Sequence, residues 1–463
     1  MRKVGFIIII LLFIFSSITS TAINTNNDFQ STTTSSKDSI NSQYNDSTWP
    51  MYQYNKANTG FSPSSFTDSL NLSYNKSYKD ILRNLWAFQS APIVANNKIF
   101  ISGGGMLPGM DVIALYENNG SLIWQTSLPL NYSLIRFMTY QTPVFSEGKI
   151  FVCYGTIFSI PMSKIFALDE NTGEIIWENR FFTSSGYSSL TISDDKVIIG
   201  GHFTSFIPIS RLYAFDVNNG DLVWSKTMLG FIESTPAISN DMVFTITSSK
   251  SPMTRGLDTA PFSGRSRVFA FDLNNGNRIW KTRVAGHVIM SSPVVSNGKI
   301  LVPSNIISED NWNRRLTCLD IQTSEEIWYY QIEQNELFSA WPTSISTPAV
   351  AYGKIFFNDA SGFIIALDEE TGELLWEGDI IEEVNAASTC AYVPPVVVDN
   401  KVITTSDEAD MHHIIHEMCM FNVSNGEKIC SLDLGDLHGI ISPFSIANGK
   451  LFVNFDENVY VYN

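Results

Sequence analysis

The side chains most able to bind a metal ion lie together between Asp407 and Glu417, in the run Asp-Glu-Ala-Asp-Met-His-His-Ile-Ile-His-Glu. This run contains three of the six histidines of the chain. Histidines three residues apart share one face of a helix, but the flanking residues here have the pattern of two strands, and the spacing matches no zinc signature. We therefore expect a solvated polar connection between strands and predict no metal site.

A second set of candidate acids recurs at one position, where an apolar run stops and a turn begins. A carboxylate at that position accepts hydrogen bonds from backbone N–H groups of the turn. A structural role is therefore favoured over a ring of catalytic acids. The sequence also has no G-x-S-x-G elbow and no glycine-rich phosphate loop, so we predict no catalytic residue and no cofactor. The recurrent acids are Asp169, Asp216, Asp272, Asp320 and Asp368.

These acids belong to a repeat that organises most of the chain. In a complete copy a Gly lies four residues after the acid, a Trp lies four residues after the Gly, and an apolar residue precedes the Trp. A second signal alternates with the first: usually Ser/Thr-Pro, then an apolar run, a tight polar turn and another apolar run. The first signal places its aromatic residue at Trp124, Trp177, Trp224, Trp280, Trp328 and Trp376, with Cys430 in a seventh copy. The second signal occurs at Pro92, Pro143, Pro236, Pro293, Pro348, Pro395 and Pro443, with Leu190 in one further copy.

Each repeat predicts four strands, which we label A (the Pro segment), B (after the tight turn), C (ending at the acid) and D (the Trp segment). Four-stranded sheets repeating about every 50 residues are typical of a β-propeller, because only the neighbouring sheets can cover their two apolar faces. The eight A strands predict an all-β fold of eight antiparallel blades, with seven blades as the alternative. The last copy, Ile441–Asn463, lacks a D strand. We predict that Asn84–Phe88, which contains Trp86, completes that blade and so removes exposed strand edges.

The pattern A-L-D-x-x-T-G-x-x-x-W, with the opening W-P-x-x-x-x-x-x-x-N-T-G at Trp49, resembles the propeller repeats of pyrroloquinoline-quinone dehydrogenases. It is also similar to the repeats of their non-enzymatic relatives, including the propeller lipoprotein of the outer-membrane barrel-assembly machinery. The resemblance implies that the repeated Trp residues, and Trp86 in the closing strand, pack on the backbone of the next blade. The dehydrogenases carry two adjacent cysteines and a calcium site, and no two cysteines are adjacent here. The resemblance therefore favours the non-enzymatic branch.

The ends of the chain and its charge set further expectations. Met1–Ala22 has two basic residues, a short apolar core and a small-residue end, which is typical of a signal peptide; an uncleaved anchor is the alternative. Ile23–Thr48 is rich in Ser, Thr and Asn, which predicts a disordered spacer. Trp49–Asn463 is then a single propeller domain. The formal net charge of −17 argues against a nucleic-acid partner.

The cysteines and the N-x-S sequons leave two questions open. Five cysteines are too few for a disulfide framework, but Cys419 and Cys430 fall on neighbouring predicted strands and could pair if the strand register allowed it. Six N-x-S sequons are candidate glycan sites in an exported chain.

Loop length differs between the two faces of the predicted propeller. The A–B and C–D turns are short and share one face, whereas the B–C and D–A connections are long and share the other. Long loops on a rigid scaffold are where binding normally occurs. We expect an extracytoplasmic, monomeric binding or scaffold module whose partner is a protein or a cell-surface glycan. The alternatives are a divergent quinone-dependent dehydrogenase and a carbohydrate-acting or adhesive propeller. The predicted partner-binding residues are Tyr132, Phe137, Phe181, Phe182, Trp312 and Trp341.

Overall fold

The computed structural model describes residues 46–78, 90–104, 110–129, 141–155, 163–183, 188–193, 195–204, 207–249, 265–288, 291–307, 312–333, 345–359, 361–380, 387–388, 393–409, 414–436, 441–455 and 458–463. In these ranges every regular element is a β-strand, and the strands form eight small sheets. The fold is an eight-bladed β-propeller, so the predicted fold class is confirmed and the seven-bladed alternative is wrong. The same ranges contain no helix long and apolar enough to cross a bilayer.

The first half of the ring follows the predicted order A, B, C, D along the chain, with sequential strands paired. Two strands precede it, β1 (Phe61–Ser62) and β2 (Leu72–Ser77). Blade 1 consists of β3 (Ile93–Ala95), β4 (Lys98–Gly104), β5 (Met110–Tyr116) and β6 (Leu122–Ser127). Blade 2 consists of β7 (Val144–Ser146), β8 (Lys149–Gly155), β9 (Ser163–Asp169) and β10 (Ile175–Phe181). Blade 3 consists of β11 (Thr191–Ser193), β12 (Lys196–Thr204), β13 (Ile207–Asp216) and β14 (Leu222–Leu229). Blade 4 consists of β15 (Ala237–Ser239), β16 (Met242–Thr247), β17 (Arg265–Asp272) and β18 (Arg278–Ala285).

The second half of the ring repeats this order, and the sheet of blade 7 gains two further strands, β1 and β27 (Ala387–Ser388). Blade 5 consists of β19 (Val294–Ser296), β20 (Lys299–Ile307), β21 (Trp312–Asp320) and β22 (Glu326–Ile332). Blade 6 consists of β23 (Ala349–Ala351), β24 (Lys354–Asp359), β25 (Phe363–Asp368) and β26 (Leu374–Asp379). The added strand β27 pairs with the B strand of blade 7. Blade 7 consists of β28 (Val396–Val398), β29 (Lys401–Ala409), β30 (Ile414–Asn422) and β31 (Lys428–Asp436). Blade 8 consists of β32 (Ser445–Ala447), β33 (Lys450–Phe455), β34 (Asn458–Tyr462) and β2.

Blade 8 is completed by β2. This strand pairs antiparallel with β34 and places Tyr74 opposite Val461, so closure by an N-terminal strand is confirmed. The prediction that Asn84–Phe88 supplies that strand is wrong, because β2 occupies the D position; Trp86 itself lies outside the described residues. Tyr74 can take the place of the recurrent Trp because it also offers a large ring with a polar tip. Its hydroxyl donates a 2.6 Å hydrogen bond to the carbonyl oxygen of Glu117 in blade 1.

The tight A–B turns align the B strands so that their side chains are buried on both faces. Asn96 and Asn97 adopt φ values of 51° and 59°, a left-handed conformation that Asn tolerates better than most residues and that matches the twist of a hairpin. In the following strand Ile99 and Phe100 point to opposite faces of the sheet, and both are fully buried. The apolar core therefore lies between the blades.

Residues 46–62, which we call the collar, run along the inner A strands. An inner edge strand leaves a row of backbone groups unpaired, and the carbonyl oxygens of the collar accept hydrogen bonds from them. Trp49 exchanges two backbone hydrogen bonds with Val94 of blade 1, and Asp46 accepts one from Asn448 of blade 8. Further bonds join Phe145 to Pro50, Ile238 to Lys56, Val295 to Ala57, Val350 to Thr59 and Val397 to Gly60.

One buried ion pair links two adjacent blades. The guanidinium of Arg314 in blade 5 contacts the carboxylate of Asp359 in blade 6, and also the hydroxyl of Ser361 at 3.1 Å. Both charged side chains are almost completely buried. Removal of one partner would leave the other charge buried and uncompensated, which is costly.

Candidate functional site

The recurrent aromatic residue of each D strand docks on the C–D turn of the next blade. In blade 2 the indole N–H of Trp177 donates a 3.0 Å hydrogen bond to the carbonyl oxygen of Val217 in blade 3. Its ring lies against Gly220, where a Cβ atom would come within 2.4 Å of it, and Gly220 has a φ of 74°. The Gly of the repeat thus meets two requirements that a large side chain would meet only with strain. Equivalent bonds join Trp124 to Glu170, Trp224 to Leu273, Trp280 to Ile321 and Trp376 to Val423.

Two members of this docking series differ from the rest. Trp328 lies against Gly372, but its buried indole N–H has no hydrogen-bond acceptor in the part of the chain that the structure describes. Cys430 holds the Trp position in blade 7 and packs in the core between blades 7 and 8. Blade 8 offers it no ordinary C–D turn, because its C and D strands come from distant parts of the sequence.

The strand register decides the question of a disulfide. Cys419 lies opposite Ser431, whereas Cys430 lies opposite Met420. Cys419 belongs to the core between blades 6 and 7, and Cys430 contacts the core on the other face of blade 7. The two thiols therefore point away from each other, and neither forms a disulfide.

In blades 2 to 6 the Ser or Thr residue before the A strand has a role that the sequence did not reveal. The backbone N–H of Thr142 donates a 3.0 Å hydrogen bond to the hydroxyl of Ser189 in the next blade. The same contact recurs from Ser189 to Thr235, from Thr235 to Ser292 and from Ser292 to Thr347, at 2.9 to 3.1 Å. This chain of bonds links blades 2 to 6 near the axis. The hydroxyl of Tyr52 in the collar also donates to Thr347, at 2.9 Å.

Few of the predicted partner-binding residues fall in described parts of the long-loop face. Tyr132, Phe137 and Trp341 lie outside the described residues. Trp312 begins the C strand of blade 5, where its backbone lies opposite Ile307. These aromatic residues remain predictions.

Phe181 and Phe182 are adjacent at the end of blade 2 but differ in their surroundings. Phe181 is 3% exposed and packs against Tyr213 and Phe215, with ring centroids 5.0 and 5.7 Å away. It is therefore a core residue between blades 2 and 3 and is not presented to a partner. Phe182 is 61% exposed, and Leu229, at the end of the D strand of blade 3, is 67% exposed. These two are the most exposed large apolar side chains among the described residues.

The carboxylates of the C–D turns act as predicted, as caps of the turn. Asp169 accepts hydrogen bonds from the backbone N–H groups of Asn171 and Thr172, each at 2.9 Å. These bonds hold the pKa of Asp169 below its usual value. The pKa values of Asp320 and Asp368 are lowered in the same way, chiefly by backbone N–H groups of their own turns. The structural interpretation of these acids is confirmed.

His202 in blade 3 is one of two buried histidines among the residues that the structure describes. It is 2% exposed, its Nδ1 lies 3.3 Å from the carbonyl oxygen of Ile232, and its ring meets Phe231 edge-on at 5.6 Å. Burial lowers the pKa of His202, since an apolar environment disfavours the charged imidazolium. The geometry fits a neutral ring whose Nδ1–H donates to the backbone.

The residues that the structure describes do not fit a calcium-dependent quinone. Among them there is no group of three or more His, Cys, Asp or Glu side chains that could hold a metal ion. The sequence also has no adjacent cysteines. The predicted loop around Asp407–Glu417 is largely strand, because Ala409 pairs with Ile414 and Asp407 pairs with His416. Only residues 410–413 connect the two strands, because the hydrogen-bonded ladder between β29 and β30 extends further than the polar composition predicts.

Comparisons with known proteins agree with this architecture. A family model described as "Outer membrane protein assembly factor BamB" matches residues 108–210 and 259–454. The outer membrane protein assembly factor BamB of Yersinia pestis is 24% identical over 200 residues, which cover 42% of this chain and 45% of that protein. The chain thus spans less than half the length of the curated relatives it matches.

Solved structures with a similar fold include a BamB protein and an alcohol dehydrogenase. The crystal structure of BamB from Moraxella catarrhalis has a TM-score of 0.54 at 18% identity and covers 85% of this chain and 98% of that chain. The quinohemoprotein alcohol dehydrogenase from Comamonas testosteroni has a TM-score of 0.62 at 12% identity, covering 90% of this chain and 80% of that chain. At these identities the likeness shows the fold alone.

Proposed function

This chain belongs to the family of the outer membrane protein assembly factor BamB, and on that premise we propose that it is a non-catalytic propeller scaffold that binds a protein partner outside the cytoplasm. The proposed location rests on the signal-peptide pattern of Met1–Ala22 and on the family. The proposed partner class rests on the same family, whose members are named assembly factors. A rigid ring with docked blades suits a scaffold, because it presents its loops without reorganising.

The observation that carries this proposal is the exposure of Phe182 and Leu229. Leu229 is the last residue of the D strand of blade 3, and Phe182 directly follows the D strand of blade 2, on the face where the long connections begin. Large apolar side chains at this exposure gain free energy when a partner covers them, and aromatic residues are enriched among interface hot spots. We propose that Phe182 and Leu229 anchor the partner and that Tyr132, Phe137, Trp312 and Trp341 contribute on the same face.

Site-specific photo-crosslinking tests this assignment. A benzophenone amino acid placed at 182 or at 229, in the cell that makes the protein, should crosslink one partner protein, identified by mass spectrometry. The matched control position is Leu122, which is also exposed, at 42%, but starts its D strand on the opposite face. Crosslinks to the same species from all three positions, or from 122 alone, would place the partner elsewhere.

The alternative functions have separate tests. A quinone-dependent dehydrogenase would reduce an artificial electron acceptor when mixed with calcium, pyrroloquinoline quinone and an alcohol or aldose. We expect no reduction above a heat-denatured control, because the described residues offer no fitting ligand set. Binding on a glycan array, abolished by Phe182→Asp, would favour the carbohydrate-binding alternative over a protein partner.

A further inference from the structure

The C and D strands of blade 4 and the D strand of blade 3 carry a concentration of positive charge that stands out in an acidic protein. The strands β14, β17 and β18, of eight residues each, hold six of the 29 Lys and Arg residues of the chain. Their only acidic residue is Asp272, whose carboxylate caps its own turn. The six cations are Lys226, Arg265, Arg267, Arg278, Lys281 and Arg283.

Four of these cations share one face of the blade 4 sheet. Arg267 lies directly opposite Arg283 across the pair of strands, and Lys281 lies opposite Phe269. Residues two apart in a strand point to the same side, so Arg265 joins the same face. Phe269 belongs to the core between blades 3 and 4. The cluster Arg265, Arg267, Lys281 and Arg283 is therefore on the wall that faces blade 3; we call it the basic wall.

The basic wall places two cations opposite each other, Arg267 on β17 and Arg283 on β18. Side chains directly opposite on antiparallel strands have Cβ atoms about 5 Å apart, and like charges in that arrangement destabilise the sheet. None of the four cations forms an ion pair with any residue in the described ranges. Arg265, Lys281 and Arg283 are exposed, and Arg267 is half-buried. The chain has a net charge of −17, yet no carboxylate among the described residues pairs with this cluster.

Protection of a sheet edge does not account for the whole cluster. Charged residues on an outer strand prevent edge-to-edge aggregation, and this explains Lys281 and Arg283 on β18. Arg265 and Arg267 lie on β17, which is paired on both sides with β16 and β18. An interior strand has no edge to protect, so these two arginines need another reason.

We propose that the basic wall binds an extended acidic segment of a partner protein. Cations two residues apart on a strand repeat at about 7 Å, which is also the repeat of alternate side chains in an extended peptide. A segment with acidic residues at every second position can therefore place one carboxylate near each cation of a row. This contact is charged and lies on blade 4, so it is separate from the apolar anchors proposed above.

Fluorescence anisotropy with synthetic peptides tests the proposal on the full chain. The probe is a labelled peptide of alternating Glu and Thr, and the comparison is a peptide of the same composition with its Glu residues in one block. We expect the alternating peptide to bind and the block peptide to bind less tightly. The double variant Arg267→Gln/Arg283→Gln should weaken binding of the alternating peptide by about tenfold or more. The control Lys76→Gln/Arg180→Gln removes two exposed cations from other blades and should change binding less than about twofold.

The same variant gives a second readout that a purely structural role would not produce. Loss of the opposed arginine pair relieves repulsion, so the Tm of Arg267→Gln/Arg283→Gln should rise or stay constant while binding falls. Equal binding of the two peptides, or an equal effect of the control variant, would overturn the proposal. Binding of dextran sulfate or of an oligonucleotide at 150 mM salt, without binding of the alternating peptide, would assign the wall to another polyanion and also overturn it.

Discussion

Replacement of Tyr74 by Ala tests how the ring is closed. Tyr74 lies on the closing strand, donates a hydrogen bond to Glu117 and has its ring against Gly120, where a Cβ atom would come within 2.9 Å. Loss of the hydrogen bond should cost about 1 kcal/mol, and loss of the half-buried ring should cost about 2 kcal/mol more. We therefore expect Tyr74→Ala to lower the free energy of unfolding by about 3 kcal/mol.

Urea unfolding at neutral pH, followed by Trp fluorescence and circular dichroism, measures this loss. Tyr74→Phe keeps the ring and should cost only the hydrogen bond, about 1 kcal/mol. Leu72→Ala is the control on the same strand; Leu72 is 52% exposed, so its loss should be within about 0.5 kcal/mol. If Trp86→Ala instead cost about 3 kcal/mol and Tyr74→Ala cost almost nothing, the reasoning would be refuted and Asn84–Phe88 would be the closing strand.

Four further predictions concern the blades themselves. Trp177→Phe should destabilise the protein by about 1 kcal/mol more than Trp328→Phe in urea unfolding, because only Trp177 gives up an indole hydrogen bond; equal losses would contradict this. Because the pKa of His202 is lowered in the folded protein, the unfolded state binds the proton at a higher pH, and stability should fall as pH drops below 6.5. Tm measured from pH 8 to pH 5 should therefore decrease less steeply in His202→Phe than in the parent protein. Because the pKa of Asp368 is lowered in the folded protein, its carboxylate stabilises the fold above the unfolded pKa of 3.8, and this contribution disappears as pH falls through the lower folded pKa. Asp368→Ala should therefore reduce Tm at pH 7 and have much less effect near pH 2. Asp359→Ala should cost about 3 to 5 kcal/mol because it removes the carboxylate that contacts the buried guanidinium of Arg314, whereas Arg314→Met/Asp359→Leu should cost far less; similar losses in both variants would show that packing, and not charge, dominates there.

The blade count could be predicted because every blade contains its own local signals. A tight turn with Asn or Gly, an acid that caps the next turn and an apolar run of strand length all act within one repeat. The docking of Trp177 on the next blade also leaves a local trace, since Gly220 is required by both its positive φ and the ring above it. A pattern that repeats along the chain identifies such contacts without a structure.

The candidate site was predicted less completely, because local patterns do not report burial. Phe181 and Phe182 are adjacent and chemically identical, yet one is 3% exposed and the other 61%. Because side chains alternate along a strand, the two rings point to opposite faces of the sheet. Only the packing of the neighbouring blade determines which of these faces is buried. Leu229 carried no aromatic signal and was missed for that reason; its place at the end of a D strand, equivalent to that of Phe182, was the available clue.

The sequence by itself determined the repeat and the all-β class and favoured eight blades over seven, since these follow from turn chemistry and strand periodicity within about 50 residues. Only the tertiary structure decided which N-terminal segment closes the ring, because Tyr74 pairs with Val461 across almost the whole chain and no local pattern encodes that register. The same holds for the opposition of Arg267 and Arg283 and for the separation of Cys419 from Cys430. A shift of one residue in register moves a side chain to the other face of its sheet, and long-range packing, not local sequence, selects the register.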